Sequence, residues 1–327
     1  MRRRLEGAFE SFLDAGRLSD AEVVAKIRAA EIDILVDLSG FARNSRLNIF
    51  AHRPAPIQVN YLGYPGTIGA DFIDYIIADR TTIPISQHSD FSEKIAYLPN
   101  SCQPNDSTRS ISGKIFSREE CGLPTDDFVF CCFNNNYKIT PDVLDLWMRI
   151  LIKVPGSVLW LRENNATAAI NLKRESELRG VSAERIIFAK RLLSLPEHLA
   201  RHRLADLFLD TLPYNAHTTA GDALWAGLPV LTQIGETFAG RVAASLLKAV
   251  GLPELITHSS KEYEHLAIEI AKHPETLRAL KKKLTENRLG APLFDTKLLT
   301  GQLEAAYIAM HGRYQAGLAP DMIVVPN

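Results

Sequence analysis

The chain has 327 residues, with 37 Lys and Arg against 38 Asp and Glu. Its formal net charge of −1 supplies no bulk attraction to nucleic acid or to an anionic membrane surface. With 46% hydrophobic and 23% charged residues it reads as a soluble globular chain of one large or two medium domains, and no apolar run reaches membrane-spanning length. Cys102, Cys121, Cys131 and Cys132 show no metal-type spacing and read as buried free thiols of a cytoplasmic protein; Met1-Arg-Arg-Arg, followed by an amphipathic stretch with two Glu, does not read as a signal peptide.

Residues 1–30 suggest two helices, the second capped by Ser19 or Asp20. A short apolar strand over 32–38 ends in Ser39-Gly40. A short helix at 45–51 and a strand at 56–62 follow, then the Gly-rich loop 63–69, then strands at 75–78 and 94–98. Residues 100–126 are rich in Pro, Asn, Ser and Gly with weak periodicity, so a domain boundary is placed there, dividing the chain into 1–115 and 116–327.

The second half alternates regularly. Strands are expected at 128–133, 158–161, 185–189, 207–209, 229–232 and 254–257. Helices are expected from Pro141, at 167–179, 196–204, 218–226 and 239–250, with three more at 260–272, 275–288 and 296–315. This is the pattern of a doubly wound α/β domain with parallel strands.

Open α/β sheets bind ligands at the carboxyl ends of their strands, and four polar loops fall there. They are Asn134 to Lys138, the helix bearing His198 and Arg201, the His217-Thr218-Thr219 turn with Asp222, and Gly235-Glu236-Thr237. His217-Thr218-Thr219 opens a helix, whose free N–H groups and positive dipole end suit a phosphate. Asp222, about one turn on, could take ribose hydroxyls. A lysine at Lys138 can oppose charge that grows on a departing diphosphate. The same residues also fit an ordinary capped helix and a solvated lysine. His198 and His202 are four apart, but no third metal ligand is evident, and stacking of His198 on a base or ribose fits better. No Asp-any-Asp triplet of the kind that holds a divalent cation on a sugar-nucleotide diphosphate occurs.

Taken together, Arg53-Pro-Ala-Pro-Ile-Gln58, Leu62-Gly-Tyr-Pro-Gly-Thr67, Phe133-Asn-x-x-Tyr-Lys138, His217-Thr-Thr219, Leu224-Trp-Ala-Gly227 and Pro292-Leu-Phe294 resemble the catalytic region of the O-GlcNAc transferase family, glycosyltransferase family 41. The resemblance covers almost the whole chain. It implies an α/β, GT-B-like fold of two Rossmann-like halves, the first incomplete at its N-terminus. It implies inverting, metal-independent transfer of N-acetylglucosamine from UDP-GlcNAc to protein Ser/Thr hydroxyls, with the UDP-sugar as substrate and no cofactor. By this resemblance Lys138 stabilises the leaving diphosphate, and Asn135, Thr218 and Thr219 lie near the phosphates. His198 and Arg201 meet the uracil and Asp222 the ribose, while Leu62, Gly63, Pro65, Tyr214 and His217 lie near the sugar.

The pattern departs from the family in places. Asn135 stands where Gln is usual, and Leu195 where a lysine near the ribose is usual. The family's catalytic half begins upstream of Met1 with a histidine-bearing loop, a second family histidine aligns near Ser11, and the tetratricopeptide array that presents protein substrates in many members is absent. The chain is therefore expected to be a fragment of a longer transferase. The rival expectations are a UDP-glucose-dependent Asn glycosyltransferase of the same family and a non-catalytic UDP-binding module.

Overall fold

A computed structural model describes residues 2–326. The chain forms two compact units. One comprises residues up to Ile77 with His88–Ala96 and Ala305–Val324, and the other comprises Ala78–Gln87, Tyr97–Glu304 and the residues from Val325. The division thus does not follow a single cut near residue 115: residues 97–115 group with the second unit and 305–324 with the first.

The first unit contains α1 (Arg2–Glu6), α2 (Asp20–Ala29), β1 (Ile34–Asp37), α3 (Leu47–Ala51) and β2 (Ile57–Asn60), while β3 (Tyr75–Asp79) and β4 (Lys94–Leu98) begin in it and end among residues of the second. Ser19 caps α2 in a reciprocal box with Glu22, satisfying two backbone donors that the first helical turn leaves open. β1 and β2 run parallel, with Ile34 opposite Ile57 and Asp37 opposite Asn60. Val23 and Val24 of α2, Ile49 and Phe50 of α3, and Ile68 and Ile73 form the apolar cluster of this unit. At the end of β1 the Asp37 carboxylate accepts from Ser39 N (2.9 Å) and Gly40 N (2.8 Å), which turns the chain.

The second unit contains β5 (Val129–Cys132), α4 (Pro141–Lys153), β6 (Val158–Arg162), α5 (Ala166–Leu178), β7 (Ile186–Ala189), α6 (Leu195–Arg201) and β8 (Leu207–Leu209). These are followed by α7 (Thr218–Trp225), β9 (Val230–Gln233), α8 (Val242–Ala249), β10 (Ile256–Thr257), α9 (Ser260–Lys272) and α10 (Pro274–Asn287). The chain then continues through α11 (Thr296–Gln315), within which the division between the units falls, to β11 (Ile323–Val324), which closes the first sheet in the order β1-β2-β3-β4-β11.

The six strands of the second sheet are ordered β7-β6-β5-β8-β9-β10, and neighbouring strands run parallel. The strand sequences VFCC, VLWLR and LFL are almost continuously apolar, as expected of strands covered on both faces. Phe130, Trp147, Trp160 and Phe208 are fully buried among them. Thr140 caps α4 and Pro141 takes its first position, where a missing N–H costs nothing. Cys131 and Cys132 are buried free thiols, as is Cys102, whereas Cys121 is partly exposed.

Most expected elements appear within one or two residues of their positions. Two helices are shorter than their apolar periodicity suggested. The stretch 196–204 leaves α-geometry at Arg201 and finishes as a 3₁₀ turn at His202–Leu204. The stretch 239–250 begins as a 3₁₀ turn, Phe238–Gly240, because the Thr237 hydroxyl accepts from Gly240 N (3.2 Å) and closes a tight turn first. β11, two residues long, was not expected, since so short a strand has no readable period.

Asp206, just before β8, ties three segments together. Its carboxylate accepts from Val129 N (2.9 Å), from Arg118 Nη2 (2.8 Å) and from Lys281 Nζ (3.3 Å). Asp206→Ala leaves the Val129 amide and two cations without this acceptor, so stability falls by about 2 kcal/mol. Denaturant unfolding measures this, and an unchanged midpoint would show the cluster to be neutral.

Candidate functional site at the carboxyl edge of the second sheet

Read from β5, the second sheet steps one way through β6 to β7, then returns to the other side of β5 and steps away through β8, β9 and β10. The loops leaving β5 and β8 therefore diverge, and a crevice opens between them at the carboxyl ends of the strands. Both loops carry polar residues predicted to bind ligand.

After β5 the chain runs through Phe133 and the buried Asn134 to the exposed Asn135, then makes a 3₁₀ turn at Asn136–Lys138. After β8 it runs through the buried Asp210 and Thr211, a cis Leu212–Pro213 bond, Tyr214 and Asn215 to His217 and α7. Hydrogen bonds join the two loops. Lys138 Nζ donates to Asn215 O (2.7 Å), Asn134 Nδ2 donates to Thr211 Oγ1 (2.8 Å), and the Thr219 hydroxyl donates to Asn134 Oδ1. The Lys138 ammonium lies 3.9 Å from the centroid of the Tyr214 ring, and that ring stacks on His217 at 4.8 Å. Lys138, Tyr214, His217 and Thr219 thus form one constellation, with Asn135 and Thr218 at its edge.

Burial sets the charges there. It lowers Lys138 from an ordinary lysine value to about 8, with the nearby Asp210 charge opposing the fall, so the ammonium is still the majority form at pH 7. Burial also lowers His217 to about 4, keeping the ring neutral. Its Nε2–H donates to Ala239 O (3.1 Å), which leaves Nδ1 as an acceptor. No side chain caps the start of α7, and a first helical turn offers N–H groups with no intrahelical partner. A cation and an uncapped helix start therefore occur in the same loop cluster, two features that favour an anion.

The other predicted residues fall into neighbouring groups. Arg201 is buried, donates to Lys190 O (2.6 Å) and lies over the Phe133 ring at 4.6 Å. It borders a cavity of about 380 Å³ whose walls include Phe116, Trp160, Phe188 and Lys190, an aromatic and cationic setting. His198 packs against Phe133 and His202, with centroids at 5.8 and 5.0 Å, and burial drives it down to about 3. Among the described residues no three His, Cys, Asp or Glu side chains gather as a metal site.

Asp222 is not an open carboxylate. It is ion-paired with Arg109, a residue the sequence did not single out. The segment carrying Arg109 lies along α7: Trp225 Nε1 donates to Arg109 O (3.0 Å), and a Cβ at Gly221 would meet Asn105 Oδ1 at 2.5 Å. Any larger residue at this point of α7 would have to displace the Asn105 amide. Asn134 lies in the polar loop expected at the site but was given no role of its own there, and Asp210 was not singled out.

Leu62, Gly63 and Pro65 belong to the first unit, on the loop after β2. Leu62 takes φ 71°, and a Cβ on Gly63 would lie 1.9 Å from Leu38 O, so only glycine fits there. The buried Glu93 holds the far side of the loop, accepting from Ile68 N (2.7 Å) and the Thr67 hydroxyl (2.5 Å).

A doubly wound parallel sheet with polar loops at its switch point is the arrangement of a GT-B-like α/β fold. Comparison with known proteins narrows the class. The profile of Glycosyl transferase family 41 matches residues 1–113 and 105–303, and the chain belongs to this family. An Arabidopsis thaliana relative, the probable UDP-N-acetylglucosamine–peptide N-acetylglucosaminyltransferase SEC, is 38% identical over 326 residues, which span 98% of this chain and 33% of the relative. A Caenorhabditis elegans UDP-N-acetylglucosamine–peptide N-acetylglucosaminyltransferase is 29% identical over 98% of this chain and 38% of its own length. A solved mutant of the Thermobaculum terrenum O-GlcNAc transferase superposes with a TM-score of 0.87 at 33% identity, covering 96% of this chain and 60% of that one. The chain thus spans about a third of the length of the curated relatives it matches.

The lowered Lys138 value has a thermodynamic consequence. Its folded value lies below the unfolded one, so the unfolded chain binds more protons between about 8 and 10.5, and stability rises with pH across that window. At pH 7 the full desolvation penalty is present. Lys138→Met is therefore expected to melt at the same or a higher temperature at pH 7 and to lose the gain between pH 8 and 10. Thermal melts across this range check both, and a drop of several degrees at pH 7 would mean that the lysine is a structural residue.

Proposed function

We propose that this chain carries the donor-binding machinery of an inverting, metal-independent transferase that moves N-acetylglucosamine from UDP-GlcNAc to protein Ser/Thr hydroxyls. The observation that carries this reading is the Lys138 ammonium held beside the uncapped start of α7 at the β5/β8 switch point. The peptide N-acetylglucosaminyltransferase names of its family relatives support the donor and the acceptor class.

In this mechanism the diphosphate lies at the start of α7, on the N–H groups of Thr218 and Thr219, with Lys138 against its oxygens and the Asn135 amide at the edge. As the bond from the sugar to the diphosphate breaks, negative charge grows on the leaving oxygen, and the preplaced ammonium stabilises it. The neutral His217 and the Tyr214 ring border the sugar. The uracil occupies the aromatic cavity beside Arg201 and His198. Asp222 accepts from the ribose hydroxyls with one carboxylate edge while Arg109 holds the other. The acceptor hydroxyl attacks from the face opposite the diphosphate, inverting the anomeric carbon. In a longer parent, tetratricopeptide repeats would present the acceptor. The reaction suits a cytoplasmic enzyme.

Two measurements test this. Calorimetry should find UDP binding that is unchanged by EDTA, because the diphosphate charge is met by Lys138 and helix N–H groups; a strict requirement for Mg²⁺ or Mn²⁺ would contradict it. In an assay of UDP release with an acceptor peptide, Lys138→Met should lower turnover at saturating donor by about 10²-fold. An unchanged rate would remove Lys138 from the chemistry. Running the assay with UDP-glucose beside UDP-GlcNAc identifies the donor sugar.

A further inference from the structure

Asp210 is the most heavily engaged buried carboxylate of the second unit's crevice. It sits immediately after β8, is 4% exposed, and gathers donors from three segments. Oδ1 accepts from Thr211 N (2.7 Å) and Ala216 N (2.6 Å), the two ends of the loop that includes the cis Leu212–Pro213 bond. Oδ2 accepts from the Thr232 hydroxyl at the end of β9 (2.7 Å). Asn134 Nδ2, from the loop after β5, approaches Oδ1 at 3.4 Å, and the other end of that amide takes the Thr219 hydroxyl. One carboxylate therefore spans the β5 loop, the β8 loop and β9 directly, and α7 through Asn134.

We propose that Asp210 is the positioning residue of the anion-binding crevice. Its carboxylate fixes the 211–216 loop, whose Asn215 carbonyl holds Lys138, aligns Thr219 through Asn134, and sets a negative charge near the Lys138 ammonium. This inference rests on the nucleotide-site reading above.

The charges around the pair are few. Lys138 faces Asp210, Cys132 and the Tyr214 ring, and it acts in turn on His217. Asp210 faces Lys138 and, through its backbone carbonyl, the Tyr263 hydroxyl (3.0 Å). Burial moves Cys132 and Tyr263 above the neutral range and His217 to about 4, leaving Lys138 near 8 and Asp210 near 6 as the groups that titrate around neutrality.

Asp210→Asn removes the charge and keeps the shape. Its carbonyl can still accept from Thr211 N and Ala216 N, and the Thr232 hydroxyl can rotate to accept from its amide. The Lys138 titration is followed by NMR of ¹³C-lysine-labelled protein without ligand, assigned with Lys138→Met, and UDP affinity is measured by calorimetry on the same samples.

The Lys138 midpoint is expected to fall by about one pH unit in Asp210→Asn, and UDP binding at pH 8 to weaken about fivefold, because the protonated fraction drops accordingly. Asn134→Ala should weaken UDP binding while leaving the Lys138 midpoint in place, and it carries the test should Asp210→Asn not fold. A Lys138 midpoint identical in wild type and Asp210→Asn, or Asn134→Ala with unaltered UDP affinity, would overturn the proposal. Failure of UDP to bind the wild type while the Lys138 midpoint still shifts would reject the nucleotide reading and leave the coupling of Asp210 to Lys138 supported.

Discussion

The site depends on one topological fact: the second sheet reverses its direction of growth between β5 and β8. Neighbouring parallel strands whose crossovers run to the same side leave no gap at their ends, whereas the pair at which the direction changes sends its loops apart. Here those loops are Asn134 to Lys138 and Asp210 to His217. Each must satisfy its backbone groups while leaving donors open to a ligand. The chain does this by burying Asp210 as a shared acceptor, with Asn134 beside it as both donor and acceptor.

That arrangement places stability and function in opposition. A lysine brought out of water is unfavourable in the free protein, and burial lowers its proton affinity. Its compensation within the chain is modest: a carbonyl at Asn215, the face of Tyr214 and the field of Asp210. On the proposed function, a bound diphosphate supplies what is missing. The neutral His217 follows the same logic, since a second cation beside Lys138 would repel it. On the proposed function the crevice is organised for an anion before the anion arrives, which is how an electrostatic site lowers a barrier without reorganising during the reaction.

Much of this was legible in the sequence. The apolar runs at 128–133, 158–161 and 207–209 mark the strands, and Pro141 and His217-Thr218-Thr219 mark the helix starts after the two central ones. The residues beneath the site were not legible. Asp210 in Leu-Asp-Thr-Leu-Pro looks like any turn aspartate, and its partners Thr232 and Asn134 come from other strands. The pairing of Arg109 with Asp222 joins residues 113 positions apart, and no local pattern encodes it. Helix ends were misjudged where hydroxyl caps and 3₁₀ turns outweighed apolar periodicity, as at Thr237 and at Arg201. Local periodicity reports what faces the core. It does not report which polar groups meet once the strands are assembled.

The central claim is that the β5/β8 crevice receives a nucleoside diphosphate. A crystal structure of this chain with UDP tests it most directly. The account predicts diphosphate oxygens within hydrogen-bonding distance of Lys138 Nζ and of the Thr218 and Thr219 amides, with the base beside Arg201. UDP bound elsewhere on the chain, or a diphosphate at this crevice out of reach of Lys138, would contradict it.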